Sequence, residues 1–104
     1  MNNYQQQANL VIAQGALTNS KRPSTFVEGV YPTHLVRGNG CYVWDENGNK
    51  YFDFICGLGS NILGYAQEDI NKAIAEKMRH GITLSLGTPL EVNVANKIRT
   101  LFPF

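Results

Sequence analysis

The spacing of apolar and polar residues changes twice along the chain, so that three kinds of segment follow one another. Near the start, apolar or small residues recur on one helical face, which predicts a short helix, at Tyr4, Ala8, Val11, Ile12 and Gly15. Residues 19–33 hold Asn, Ser, Pro, Thr and Gly without a period, which predicts an extended arm. We therefore divide the chain into a helical segment at 1–18, an arm at 19–33 and a partial domain at 34–104.

Strands are predicted within residues 34–55, where three runs are rich in β-branched and aromatic residues. The first turn is predicted at Gly38-Asn39-Gly40. The second contains Asn47-Gly48, a pair that supplies two positive φ angles in tight hairpins. These turns predict a three-stranded antiparallel meander, one face of which needs a covering layer.

Two helices are predicted after the meander, at 67–80 and 88–101, which makes the fold class α+β. The first has apolar residues at helical spacing and Gly81 at its end, where a left-handed cap fits. The second begins with Thr88-Pro89 and has Glu91 in position for a capping box. Its buried stripe is expected to consist of Leu90, Val94, Ile98 and Leu101, with Ala95 beside it.

Composition limits the classes of function. The 104 residues are 43% apolar with a net charge of +1, which suits one small globular domain and gives no basic patch for nucleic acid or lipid. Neither a leader peptide nor an apolar run of spanning length is found, so we expect a cytoplasmic protein without a membrane partner. Cys41 and Cys56 are expected to pack as small apolar side chains, and no metal site is predicted.

Local motifs carry little chemistry. His34 and His80 stand alone, and each is better explained as a structural or solvated imidazole than as a general base. The glycine-rich stretch 57–64 matches neither nucleotide fingerprint, and it suits either a plain turn or a close backbone approach to a ligand or another chain. Arg22 could clamp a carboxylate or stay a solvated loop residue. All five lysines lie in polar contexts that suit solvated charges.

An ordered series of motifs nevertheless resembles the class III aminotransferases, over residues 19–104. Residues 40–54 are similar to the family's strand-turn-strand signature, residues 62–66 resemble its glycine-histidine motif, and residues 90–92 resemble the following helix start. Within the family, residues 19–22 and 81–91 are most similar to glutamate-1-semialdehyde 2,1-aminomutase and its relatives.

This resemblance implies a pyridoxal 5'-phosphate (PLP) enzyme of fold type I, usually a homodimer, in which these residues form the N-terminal segment of the small domain. The family's phosphate-binding loop, the acid on the pyridine nitrogen and the Schiff-base lysine come later in the chain. We therefore expect no catalytic residue here, no PLP held by this chain alone and no activity of the isolated chain. The apolar end at Phe104 also leads us to expect a large domain after it.

The resemblance also implies which residues of this chain lie on the substrate side of the active site. Ser20 and Arg22 match the arm that holds the substrate carboxylate, and a loop at the substrate pocket is matched by Leu58, Gly59 and Ser60. A segment near the dimer interface and the active site is matched by Ser85, Leu86, Gly87 and Thr88. The family's aminomutases differ at three places, with Trp for Leu58, His for Tyr65 and His-Pro for Gln67-Glu68, and their arm spaces Ser and Arg by three positions rather than two.

The function implied is amino-group transfer through pyridoxamine phosphate, by an aminotransferase or aminomutase acting on a small-molecule amino donor and carbonyl acceptor. Leu58 lacks the aromatic ring of the Trp that the aminomutases have at this position, and this difference favours the aminotransferase. The alternative is a stand-alone α+β domain whose aromatic hairpin and arm bind a protein partner without catalysis.

Overall fold

The computed structural model describes residues 4–27 and 29–103, in two compact units, Met1–Glu68 and Asp69–Phe104. Phe104, and with it the predicted apolar chain end, lies outside the described residues. In chain order the helices and strands are α1 (Tyr4–Val11), β1 (Leu35–Asn39), β2 (Tyr42–Asp45), β3 (Lys50–Phe52), α2 (Glu68–Met78) and α3 (Pro89–Leu101). The α+β class, the meander and the two later helices are therefore confirmed.

The three strands form one antiparallel sheet in the order β1-β2-β3. Gly38 pairs with Val43 and Asn39 with Tyr42, so the strand continues through two residues that were predicted to turn. The turn lies instead at Gly40 and Cys41, where Gly40 takes a φ of 54°. Cys41 is exposed there, and the prediction that it packs in an apolar strand was wrong.

The β2–β3 hairpin is organised by Asp45, which is 5% exposed at the end of β2. Its carboxylate accepts the backbone N–H groups of Asn47 and Asn49, at 2.9 and 2.8 Å. Gly48 has a φ of 83°, but Asn47 is not among the residues with positive φ, so one position rather than two is left-handed. The Asp45 carboxylate stabilises this turn because it accepts hydrogen bonds from N–H groups that would otherwise lack partners in the loop.

Aromatic side chains and two cations line one face of the sheet. The rings of Tyr42 and Phe52 lie 4.7 Å apart between centroids. Arg37 lies over the Trp44 ring at 3.8 Å and Lys50 over the Tyr42 ring at 3.5 Å. Val43 has its side chain on the opposite face and is 5% exposed.

Before the sheet, α1 is followed by short 3₁₀ turns at Ala13–Gly15, Asn19–Lys21 and Pro23–Thr25. The arm is therefore coiled in part, where an extended chain was expected. Each of its two turns is closed by a backbone bond, from Arg22 N–H to the Asn19 carbonyl at 3.3 Å and from Phe26 N–H to the Pro23 carbonyl at 3.0 Å.

No residue of α2 or α3 is buried. Leu90 and Ile98 are both 48% exposed, so the apolar stripe of α3 forms as predicted but faces solvent rather than a core. Helical spacing fixes which residues share a face, but it does not supply the partner that would cover them. Among residues 4–27 and 29–103, no helix is long and apolar enough to cross a membrane.

Candidate functional site

The loop that follows β3 contains a left-handed turn of four residues, Cys56–Gly59. Their φ angles are 51° at Cys56, 57° at Gly57, 59° at Leu58 and 97° at Gly59. For residues other than glycine this region costs about 1–2 kcal/mol each, so Cys56 and Leu58 are held against their own preference. Leu58 nevertheless lies 76% exposed. Burial of the Leu58 side chain therefore does not account for this strained conformation.

Asp53 connects this turn to the sheet. Its own N–H donates to the Cys41 carbonyl at 2.9 Å, which extends the pairing of β3 with β2 by one residue. Its Oδ1 accepts the backbone N–H groups of Ile55 at 2.8 Å and Cys56 at 3.2 Å. One carboxylate oxygen therefore fixes the residue before the left-handed turn and the first residue of the turn.

Tyr65 completes the attachment at the far end of the loop. Its hydroxyl donates to Asp53 Oδ2 at 2.6 Å. Its backbone exchanges two hydrogen bonds with Gly40, at 2.8 and 2.9 Å. Its ring covers Gly38 so closely that a Cβ there would overlap the ring. We call the paired side chains of Asp53 and Tyr65 the Asp53–Tyr65 clamp.

The clamp shifts the pKa of both partners. The hydrogen bond from Tyr65 lowers the pKa of Asp53 below its usual value, an effect that partial burial opposes. The same bond, followed by burial, raises the pKa of Tyr65 above its usual value. Because both shifts favour a charged acceptor and a neutral donor, the clamp is a charge-assisted hydrogen bond at neutral pH.

The predicted pocket residues Leu58, Gly59 and Ser60 all lie on this loop. The Ser60 hydroxyl donates to the Gly57 carbonyl at 2.9 Å, and the Asn61 N–H donates to the Cys56 carbonyl at 2.9 Å. The Ser60 hydroxyl is therefore engaged in closing the turn. At Gly64 a Cβ would lie 2.8 Å from the Gly40 carbonyl oxygen, so this glycine approaches the chain's own sheet rather than a ligand or another chain.

Ser20 and Arg22 lie in the arm, at its two 3₁₀ turns. The Arg22 carbonyl accepts the Thr25 hydroxyl at 2.6 Å, while the Ser20 hydroxyl lies 3.4 Å from that of Thr18. The ion pairs found among the described residues do not involve the Arg22 guanidinium. Among the named helices, turns and strands of residues 4–27 and 29–103, the larger sets of contacts join neighbouring strands and α1 with the turn that follows it.

Ser85, Leu86, Gly87 and Thr88 lie in the second unit and lead into α3. Thr88 and Glu91 form the predicted capping box, in which the Glu91 carboxylate accepts the Thr88 N–H at 3.1 Å. Leu86 is 85% exposed. The capping box thus fixes where this segment joins the helix.

All five lysines are exposed: Lys21, Lys50, Lys72, Lys77 and Lys97. A lysine that forms a Schiff base needs burial or a cationic neighbour to lower its pKa, and an exposed ammonium lacks the first of these. Over the described parts of the chain, no cluster of three His, Cys, Asp or Glu side chains could hold a metal ion.

Sequence reasoning did not identify Asp53 and Tyr65 as site residues. A weak signal was present at Asp53, because an Asp between a strand and a glycine-rich loop often binds nearby N–H groups. Nothing local identified its partner, which lies twelve residues further along the chain.

Comparison with protein families gives a match to the class III aminotransferases over residues 26–103. Glutamate-1-semialdehyde 2,1-aminomutase of Thermus thermophilus is 41% identical over 76 residues, which are 73% of this chain and 18% of that protein. The 3-aminobutyryl-CoA aminotransferase of Cloacimonas acidaminovorans is 33% identical over 93 residues, 88% of this chain and 22% of that protein.

Among solved structures, the FumI protein of Sphingopyxis sp. MTA144 in its PLP internal aldimine form resembles the chain with a TM-score of 0.76. The two are 27% identical, and the match covers 89% of this chain and 22% of the other. The chain therefore spans about a fifth of the length of the proteins that it matches.

Proposed function

Because the chain belongs to the class III aminotransferase family, we propose that it forms the substrate-side segment of a PLP-dependent enzyme that transfers amino groups. The donor and the acceptor would be small molecules, an amine or amino acid and a carbonyl compound. The observation that carries this proposal is the match over residues 26–103, which includes the sheet, the left-handed turn and both later helices.

The left-handed turn would present Leu58, Gly59 and Ser60 to the substrate. Leu58 is 76% exposed on a backbone conformation that it does not favour, which suits a wall of a binding pocket better than a core position. The Gly59 backbone, with no Cβ, would allow a close approach. These residues would orient the substrate and exclude water from it.

Arg22 would bind the substrate carboxylate, with Ser20 beside it. A guanidinium holds a carboxylate through two parallel hydrogen bonds, which fixes orientation as well as affinity. Support comes from the geometry of the arm: the Arg22 carbonyl is bound by Thr25, while the guanidinium takes no part in the ion pairs of the described residues.

PLP supplies the electron sink for amino transfer when it is bound. None of the five exposed lysines fits its covalent attachment, so the proposal assigns that role to residues beyond the 104 of this chain. The isolated chain would accordingly be inactive. We also propose a cytoplasmic homodimer, with Ser85, Leu86, Gly87 and Thr88 near the subunit interface.

The test uses the complete gene product, supplied with PLP and assayed with two amino donors, one bearing a carboxylate and one a neutral amine of similar size. Replacing Arg22 by Ala should raise KM for the carboxylate donor by about tenfold to a hundredfold, since a charged hydrogen bond contributes roughly 1.5–3 kcal/mol. The amine donor should be unaffected. Arg37→Ala, which removes a guanidinium that stacks on Trp44, is the control.

Two results would contradict the proposal. Amino transfer that does not depend on PLP would contradict the proposed enzyme class. So would a gene product that transfers no amino group from any donor of a broad panel. If Arg22→Ala raised KM equally for both donors, only the proposed binding of the substrate carboxylate by Arg22 would be contradicted.

Leu58 provides the test between aminotransferase and aminomutase. We propose the aminotransferase, because a leucine gives the pocket no aromatic wall on which a substrate could stack. The wild-type gene product should therefore transfer amino groups between separate molecules faster than it isomerises glutamate 1-semialdehyde. Leu58→Trp should shift that ratio towards isomerisation, and Leu63→Trp, which adds the same ring at another exposed loop position, should not.

A further inference from the structure

Among the described residues, the left-handed turn forms its hydrogen bonds mainly within the loop that contains it. Most of its hydrogen bonds are internal to the loop, such as Leu58 N–H to the Ile55 carbonyl at 3.0 Å and Gly64 N–H to the Asn61 carbonyl at 2.9 Å. Bonds of this kind preserve the shape of the turn. They do not determine where the turn lies relative to the sheet.

Asp53 and Tyr65 provide that connection. Asp53 holds the entry to the turn through two backbone N–H groups, and its other carboxylate oxygen binds the Tyr65 hydroxyl. Tyr65 is itself anchored to the end of β1, by two backbone bonds to Gly40 and by its ring on Gly38. The clamp therefore connects Asp53, the first residue after β3, through Tyr65 to Gly40, which follows β1. The two ends of the loop are held together in this way.

The anchor of Tyr65 requires the glycines around it. Gly38 leaves room for the ring, and Gly64, at a φ of 85°, lets the backbone come close to Gly40. A tyrosine is also long enough for its ring to cross Gly38 while its hydroxyl reaches Asp53. Two glycines and the length of the tyrosine side chain thus allow the single hydrogen bond of 2.6 Å between Tyr65 and Asp53.

We infer that Tyr65, acting through Asp53, is a positioning residue that holds the Cys56–Gly59 turn, and with it Leu58, in place for the substrate. This inference rests on the proposed function for the identity of the substrate. The effect of the clamp on the mobility of the loop is a separate property, and it can be measured without any substrate.

The experiment compares Tyr65→Phe with Tyr51→Phe in the complete gene product with PLP bound. The first variant keeps the ring on Gly38 and removes only the hydroxyl. The second removes the same kind of bond elsewhere, because the Tyr51 hydroxyl donates to Asp45 Oδ2 at 2.9 Å. Asp53→Asn is a second disruption of the clamp that preserves side-chain shape.

Hydrogen exchange followed by mass spectrometry reads out residues 54–64. Tyr65→Phe and Asp53→Asn should speed exchange there by about tenfold, as expected when a charge-assisted bond is lost, and Tyr51→Phe should not. Both clamp variants should also raise KM for the amino donor by about threefold to tenfold while kcat changes by less than about twofold.

The two readouts separate the two claims. Unchanged exchange in residues 54–64 would overturn the inference whatever the kinetics. Faster exchange with an unchanged KM would support the hold on the turn and would overturn the substrate role that the proposed function gives to Leu58.

Discussion

Tyr51 and Asp45 are joined across the β2–β3 hairpin by a hydrogen bond of 2.9 Å, from the phenol Oη to the carboxylate Oδ2. Asn49 adds a second bond to the same oxygen through its side-chain amide, also at 2.9 Å. The turn is therefore organised around one carboxylate that is almost completely buried. Its ionisation should make the stability of the hairpin depend on pH.

Stability should fall in acid through Asp45. The Asn49 side chain lowers the pKa of Asp45 below its usual 3.8, burial opposes this effect, and bonds from Tyr51 and two backbone N–H groups reinforce it. A carboxyl group with a lowered folded pKa stabilises the fold above its unfolded value, and the contribution is lost as pH falls through the folded value. Asn49→Ala should therefore destabilise the chain at neutral pH and have little effect at a pH well below 3.8.

Urea denaturation of wild type and Asn49→Ala at the two pH values measures this difference. Asn39→Ala, at an exposed position in β1, is the control, and its effect should not change with pH. A destabilisation by Asn49→Ala that is equal at both pH values would show that Asp45 is not the group responsible.

Gly64→Ala and Gly48→Ala should separate backbone strain from steric overlap. The two glycines have nearly equal φ angles, 85° and 83°, so each alanine should cost about 1–2 kcal/mol of unfolding free energy. At Gly48 nothing lies within 4 Å of the added Cβ, whereas at Gly64 it would lie 2.8 Å from the Gly40 carbonyl oxygen. Gly64→Ala should therefore lose about 1–3 kcal/mol more, as overpacking does.

Urea denaturation midpoints of the two variants give this comparison directly. Equal losses would mean that the backbone around Gly40 moves away at no cost, and the close approach at Gly64 would then have no energetic importance.

Local signals predicted the parts of this fold that depend on neighbours in sequence. The capping box at Thr88 and the glycine of the second hairpin act over three or four residues, so their structural outcome could be read directly from the chain. Tyr65 and Asp53 meet across a loop whose path is set by strained residues, and no periodicity describes that path. The exposure of Cys41 escaped prediction because the turn moved by about two residues, which composition alone does not determine.

The capping box offers a test at the start of α3. The Glu91 carboxylate accepts the Thr88 N–H at 3.1 Å and also places negative charge at a helix N-terminus. Glu91→Ala should therefore destabilise the helix by about 0.5–1 kcal/mol. Glu91→Gln keeps an acceptor without the charge and should lose less. Hydrogen exchange in residues 88–94 measures both, and equal effects of the two variants would assign the whole contribution to charge.

Self-association of the 104-residue chain should depend on the stripe along α3. Leu90, Val94 and Ile98 lie on one face of this helix and are 48%, 56% and 48% exposed. Exposed apolar surface of this kind is removed from water when two copies meet, and a single buried side chain contributes about 1.5–3 kcal/mol. We therefore expect the apparent mass in sedimentation velocity to rise with protein concentration.

Ile98→Lys should weaken this association by about tenfold to a hundredfold, because it places a charge where an apolar contact would form. Asn96→Lys adds the same charge to the opposite side of α3 and should leave the association constant within about twofold. Association that responds equally to both substitutions would reflect net charge rather than the stripe. A wild-type chain that stays monomeric at all concentrations would show instead that its exposed stripe does not draw two copies together.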